Sequence, residues 1–260
     1  MKKPLLFLLL ACLPLPAWAK LVTRDVDYAD EAGTALQGYL AYDDAVSGKR
    51  PAVVVLPDWR GMTATPKERA DMLAQLGYVA FVADIYGKSV RPQSVPEYVA
   101  QIKIYKGDRA LYRERARAAY KELLRQPQAD AARTAAIGYC FGGTGVVEMA
   151  RDGLPLLGVV SFHGGLDAQP SPAGKAIRAK VLALCGADDP MQPAVDLVAF
   201  EKQLRDGGVD YQIVSYGHAQ HAFTDKDVDA LKIPGAVYDA KADRRSWQAM
   251  RDFFEELFAR

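Results

Sequence analysis

Six residues, Gly138-Tyr139-Cys140-Phe141-Gly142-Gly143, constrain this chain more than any others. They read G-x-C-x-G-G, follow the apolar run 134–139 and precede a helix-like stretch, 144–150. A strand that turns at once into a helix brings backbone against backbone, so the positions around the turn must be nearly free of side chains. The apical residue is lifted onto a helix N-terminus, where the macrodipole favours an anion. Here that residue is Cys140, whose reactive form is the thiolate. This is the nucleophile-elbow pattern with sulfur where serine is more usual, and the flanking glycines argue against a small buried hydrophobe.

The segments on either side supply the sheet that such a turn requires. Residues 22–28 and 35–42 read as two strands around a turn at Glu31-Ala32-Gly33. Residues 51–56 hold the run Ala-Val-Val-Val-Leu, as expected of a strand buried on both faces. Thr65-Pro66-Lys67-Glu68 predicts a helix start, with Thr65 as N-cap, Pro66 at the first helical position and Glu68 closing a capping box; this helix ends near Gly77. Further strands are predicted at 78–83, 157–162, 180–185 and 210–216, and helices at 110–125, 193–204 and 242–259. The last helix carries Trp247, Met250, Phe254, Leu257 and Phe258 at helical spacing, a core-facing stripe. Residues 84–106 show little apolar periodicity and hold two prolines, which reads as an excursion over one sheet edge, suited to a partial lid. Strands alternating with helices predict an α/β fold: a mostly parallel central sheet, helices on both faces, and function at the carboxyl ends of the strands.

Residues 1–19 read as a secretory signal peptide, leaving 20–260 as a single α/β domain. Lys2 and Lys3 precede the apolar stretch 5–13, and Ala17-Trp18-Ala19 forms an A-x-A cleavage site before Lys20. A secreted or periplasmic location is therefore expected. The rival lipid-attachment box, Leu9-Leu10-Ala11-Cys12, is weaker because Leu10 is bulky for it and the A-x-A site is cleaner. No other apolar run is long enough to span a bilayer. A formal net charge of +1 gives no reason to expect nucleic acid or an anionic surface as partner. Three histidines without ligand-like spacing argue against a metal site, and no cofactor is implied. The oligomeric state is not legible. Cleavage would leave Cys140 and Cys185, each ending its own predicted strand with residues 157–162 between them. With that strand between them in the sheet, they stand roughly 9–10 Å apart, beyond the ~7 Å that a disulfide spans.

A nucleophilic cysteine needs a base, and the base an orienting carboxylate. His163 ends the strand before Gly164-Gly165, whereas His218 and His221 both follow strand 210–216. Gly186-Ala187-Asp188-Asp189 follows strand 180–185. Nucleophile, acid and histidine thus come after separate later strands, the chain order of α/β-hydrolases.

At these residues the chain resembles the dienelactone hydrolase family of α/β-hydrolases. Leu56-Pro57-Asp58-Trp59-Arg60-Gly61 resembles the loop after the family's early central strand, and Gly138 to Gly143 its elbow. Gly186-Ala187-Asp188-Asp189, with Pro193 four residues on, resembles its acid loop, and Ala219-Gln220-His221-Ala222-Phe223 its histidine loop. The resemblance implies that Cys140 attacks the acyl carbon of a small ester or lactone. His221 takes the thiol proton and later activates water, and Asp189 holds the imidazole. The backbone N–H groups of Phe141 and Trp59 form the oxyanion hole. The spacing to Pro193 favours Asp189 over Asp188, and Ala222-Phe223 favours His221 over His218. His163 reads as a structural residue at a strand end or as a pocket wall. Tyr86, Trp59 and Phe141 are candidates to line an acyl pocket. Asp58 stands where the family usually has a glutamate tied to activation of the resting thiol, one methylene shorter. The dienelactone enzymes bind a substrate carboxylate through arginines, one of them four residues after the catalytic histidine. Here that position is Asp225, which would repel a carboxylate, with Arg60, Arg91 and Lys106 as the cations available to offset it. Two other functions use the same parts: a thioesterase or peptidase on this fold, and a non-catalytic thiol redox sensor or binding protein in which Cys140 is oxidisable. The Asp189 and His221 loops favour catalysis, because a sensor needs neither.

Overall fold

A computed structural model describes residues 20–259; the signal-peptide reading and Cys12 fall outside them. The described strands are Leu21–Ala29 (β1), Ala35–Asp43 (β2), Arg50–Leu56 (β3), Val79–Val82 (β4), Ala129–Tyr139 (β5), Gly158–Phe162 (β6), Lys180–Gly186 (β7) and Tyr211–Tyr216 (β8). They form one eight-stranded sheet in the order β1-β2-β4-β3-β5-β6-β7-β8. The β1–β2 and β2–β4 pairs are antiparallel, and every pairing from β4 to β8 is parallel. The expected α/β architecture is therefore present, and β6 lies between the strands that end at Cys140 and Cys185. Both cysteines are free.

The helices are Ala64–Gln75 (α1), Val95–Gly107 (α2), Arg109–Arg125 (α3), Phe141–Arg151 (α4), Ala194–Asp206 (α5) and Ala240–Phe258 (α6). Strand β3 shows why its sequence is apolar without alternation. Ala52, Val54 and Leu56 pack on the face covered by α3, α4 and α5, while Val53 and Val55 pack on the face covered by α1 and α6. All five are fully buried, and burial of each large aliphatic side chain contributes about 1.5–3 kcal/mol. The stripe on α6 packs as expected: Met250 and Phe254 are buried, with Trp247, Leu257 and Phe258 against them.

Two expectations need correction. Helix α1 begins at Ala64 after Thr63, no side chain caps it, and Pro66 is its third residue rather than its first. The first four N–H groups of any helix lack an internal partner, so a proline fits throughout the first turn and does not fix the start. The segment 84–106 is also more regular than its sequence suggests. Its first part is pinned by buried Asp84, whose carboxylate accepts from the N–H groups of Gln37 (3.1 Å) and Gly87 (3.0 Å) and from Arg91 (3.2 Å). Its second part is α2, with Pro96 in the first turn. Only Tyr105 of α2 is buried, so the helix leaves almost no apolar period to read.

The elbow is where the layers come closest. A Cβ on Gly138 would lie 2.1 Å from the carbonyl oxygen of Gly142, and one on Gly142 would lie 2.2 Å from that of Leu56. Both obstacles are backbone, so neither can turn aside. Every residue of α4 is buried, and its N-terminus is wedged against the ends of β3 and β5. Gly142→Ala is expected to destabilise the fold by about 1–3 kcal/mol through overpacking, a fall of several degrees in Tm by thermal unfolding. An unchanged Tm would show that α4 is not seated as described.

Candidate active site

Cys140 sits at φ 52°, ψ −112°, backbone angles that cost a non-glycine residue roughly 1–3 kcal/mol. Its N–H donates to the carbonyl of Phe162 (2.9 Å) and lies 3.1 Å from Nδ1 of His163. The turn that strains the residue aims Sγ off the carboxyl end of β5, at the loop after β8. That loop carries His221, whose own N–H donates to Gly235 (3.0 Å) and whose carbonyl accepts from Val237 (3.0 Å). His221 is 8% exposed. Its Nε2 stands 3.0 Å from Cys140 Sγ, and its Nδ1 2.9 Å from Asp189 Oδ2. Asp189 follows β7, and its other oxygen accepts from the Met191 N–H (2.7 Å). The structure thus brings Cys140, His221 and Asp189 into one row.

The neighbouring pair is left outside. His218 has a side chain 98% exposed and lies 3.6 Å from the exposed Asp188. For His221, burial disfavours the imidazolium, but attraction to a negative sulfur at Cys140 and the bond to Asp189 outweigh it and push its pKa up to about 10.

His163 does more than end a strand. It is 3% exposed, with φ 40°. Facing a backbone donor, its Nδ1 accepts, so Nε2 carries the hydrogen and donates to Thr224 Oγ1 at 2.8 Å. Burial first, then the positive charges at His221 and Arg69, hold its pKa well below the ordinary value, and the ring is neutral. The Thr224 carbonyl accepts from Arg69 (2.9 Å), which also pairs with Asp243 (2.7 Å). His163 thus ties the elbow to the histidine loop, with its ring edge-on to His221 at 5.4 Å. The signal for this was Gly164, whose Cβ would meet the Gly143 backbone at 2.6 Å: the end of β6 had to touch the elbow.

The N–H groups of Phe141 and Trp59 make no hydrogen bond among the described residues. Both residues are held from the other side. Tyr112 stacks on Phe141 with centroids 4.4 Å apart and donates to its carbonyl (2.8 Å), and Tyr86 donates to the carbonyl of Trp59 (2.8 Å). A cavity of about 180 Å³ opens beside Cys140 and His221, bounded by Trp59, Ile102, Phe141, Met191, Val228 and Ile233. Tyr86 is not in its wall.

Asp58 and Asp225 also face the cavity. Asp58 makes no hydrogen bond to Cys140; it accepts from the Arg60 N–H (2.7 Å) and from Arg60 Nη2 (2.8 Å). The same Nη2 donates to Asp225 at 2.6 Å. Arg91 is engaged by Asp84, and Lys106 is exposed on α2 at the cavity. Among the described residues, no group of three or more His, Cys, Asp or Glu side chains is placed to hold a metal ion.

The family model of the dienelactone hydrolase family matches residues 36–258. The chain belongs to this family. It is 42% identical to a crystal structure described as a dienelactone hydrolase-like promiscuous phosphotriesterase from metagenomic libraries, with a TM-score of 0.88, covering 92% of this chain and 99% of the other. It is 29% identical over 222 residues to a Bradyrhizobium protein named "Probable 2-oxo-3-(5-oxofuran-2-ylidene)propanoate lactonase", covering 81% of this chain and 88% of the relative. An acylaminoacyl peptidase of Pyrococcus horikoshii matches at a TM-score of 0.66 and 13% identity over 92% of this chain and 42% of that one, a likeness of fold alone. The family is one of hydrolases on the α/β-hydrolase fold.

Thr224→Val removes the acceptor of His163 while keeping the side-chain shape, and leaves a buried N–H unpaired at a cost of about 1–3 kcal/mol. Thermal unfolding should show a fall of several degrees for Thr224→Val and little for Thr224→Ser. Equal stability of both variants and wild type would remove His163 as the tie between the two loops.

Proposed function

We propose that this protein hydrolyses a carboxylic ester or lactone through an acyl-thioenzyme, with Cys140 as nucleophile, His221 as general base and acid, and Asp189 as its orienting carboxylate. The observation that carries the reading is the hydrogen-bonded row Asp189–His221–Cys140 at the mouth of an apolar cavity. Sγ attacks the acyl carbon, and the carbonyl oxygen becomes an oxyanion received by the N–H groups of Phe141 and Trp59. One such donor is typically worth ~3–4 kcal/mol of barrier. The imidazolium gives its proton to the departing alkoxide, and a thioester remains. Acylation removes the negative sulfur that raised the His221 pKa, so burial regains weight and the ring is left as a neutral base. It then takes a proton from water, hydroxide adds to the thioester, and the tetrahedral adduct collapses to acid and Cys140 thiolate. The thiolate is the better leaving group at this step, which favours sulfur over a serine oxygen.

The 42% identity to a protein described as a promiscuous phosphotriesterase supports a second reading for the same nucleophile. Sγ would attack phosphorus, expel an aryloxide or alkoxide, and be released by water. The N-terminal A-x-A site supports a periplasmic or secreted location for the mature chain, which cell fractionation with an antibody to the protein would test.

With short 4-nitrophenyl esters, Cys140→Ala and His221→Ala should each lose on the order of a thousandfold or more in kcat, while His218→Ala stays within about twofold of wild type. Turnover by Cys140→Ala equal to wild type would refute the mechanism. For an alkyl ester, whose leaving group needs a proton, a His221 pKa of about 10 keeps the imidazolium present throughout the neutral range. The acylation rate in kcat/KM should therefore hold level through neutrality and fall only as pH rises past about 10. A decline beginning near pH 6.5, the ordinary histidine value, would contradict the ion pair.

A further inference from the structure

We propose that the cavity selects uncharged acyl groups and rejects esters that carry a second carboxylate, because Arg60 is withheld from the substrate by Asp58 and Asp225. This rests on the ester hydrolase reading and names its substrate class. A pocket that takes a carboxylate out of water needs a free buried cation in its wall. Here both acids face the cavity, while Arg60 is not part of its lining. The guanidinium spends Nη2 on the two carboxylates, at 2.8 Å and 2.6 Å, and Nε on Asp58. The acids cannot swing away: Asp58 also accepts the Arg60 backbone N–H (2.7 Å), and Asp225 accepts that of Asp227 (3.0 Å). All three side chains are over nine-tenths buried. A substrate carboxylate that borrowed Arg60 would have to break a buried pair and leave an acid unpartnered, which proteins tolerate poorly. Arg60 and Lys106 match the two acids in number, but of these four only the acids are both buried and in the lining. Arg91 is engaged elsewhere by Asp84. Lys106 lines the cavity but is exposed on α2, where screening weakens its pull. The rest of the wall, Ile102, Met191, Val228 and Ile233 among it, suits a hydrocarbon chain.

The test compares kcat/KM for 4-nitrophenyl hexanoate with that for the mono-4-nitrophenyl ester of adipic acid, which has the same acyl length and differs by a terminal carboxylate. Wild type should prefer hexanoate by about a hundredfold, and Asp225→Asn, which removes one negative charge and one grip on Arg60, should narrow that ratio by about tenfold. A 4-nitrophenyl ester of 6-aminohexanoic acid should not suffer the adipate penalty. A wild-type ratio near one, or a preference for adipate, would overturn the proposal without any variant. A large ratio left unchanged by Asp225→Asn in a protein of wild-type circular dichroism would overturn its assignment to Asp225. Hydrolysis of neither ester, or equal rates in Cys140→Ala, would instead strike the hydrolase reading and take this one with it.

Discussion

The structure turns on the contact of Gly142 with the Leu56 carbonyl and of Gly138 with Gly142. These glycines let α4 start flush against β3 and β5, and everything chemical follows from that closeness. Cys140 is forced to φ 52°, a conformation that is unfavourable in isolation and is sustained by the packing around it. Phe141 becomes the first residue of a helix whose leading N–H groups have no internal partner. Trp59, on the loop that leaves β3, is brought beside it. A cysteine thiol and two backbone N–H groups are thereby placed by steric closure.

Electrostatics then divides the cavity into two groups of buried charge. In one, Asp189 and Cys140 bracket His221 at 2.9 Å and 3.0 Å. In the other, Asp58 and Asp225 bracket Arg60. Each has a basic group between two acidic ones. In the proposed mechanism the sulfur loses its charge on acylation, so the first group would be reset during turnover. The second has no such step and acts as a fixed wall. His163, neutral and bonded on both ring nitrogens, connects the elbow to the loop that carries His221 without adding charge between them.

Much of this was legible in the chain. The buried run in β3, the glycines of the elbow and the order of the three loops are dictated by short-range chemistry, since each depends on residue types at fixed spacing. Those signals pointed to Cys140, Asp189 and His221, and to β6 standing between the cysteines. Other features depend on partners distant in sequence. The Arg60–Asp225 pair joins residues 165 positions apart, so Asp225 read as an unshielded repulsive charge and Arg60 as a free cation. The Cys140–His163–Thr224 link joins three loops and has no local signature. Helix α2 was hidden because it buries a single side chain, and the start of α1 because a proline suits every position of a first turn. Local sterics is written along the chain, whereas the pairing of buried charges is written across it.

The most direct measurement is acid-quenched intact-mass spectrometry of the protein, milliseconds after mixing with 4-nitrophenyl acetate, followed by peptide mapping. One acetyl group per chain should appear on Cys140 together with a stoichiometric burst of 4-nitrophenolate, and in Cys140→Ala the site should stay unmodified and the burst vanish. Turnover without an adduct, or an acetyl group mapped to another residue that forms and decays at the rate of turnover, would contradict the assignment of Cys140 as the nucleophile.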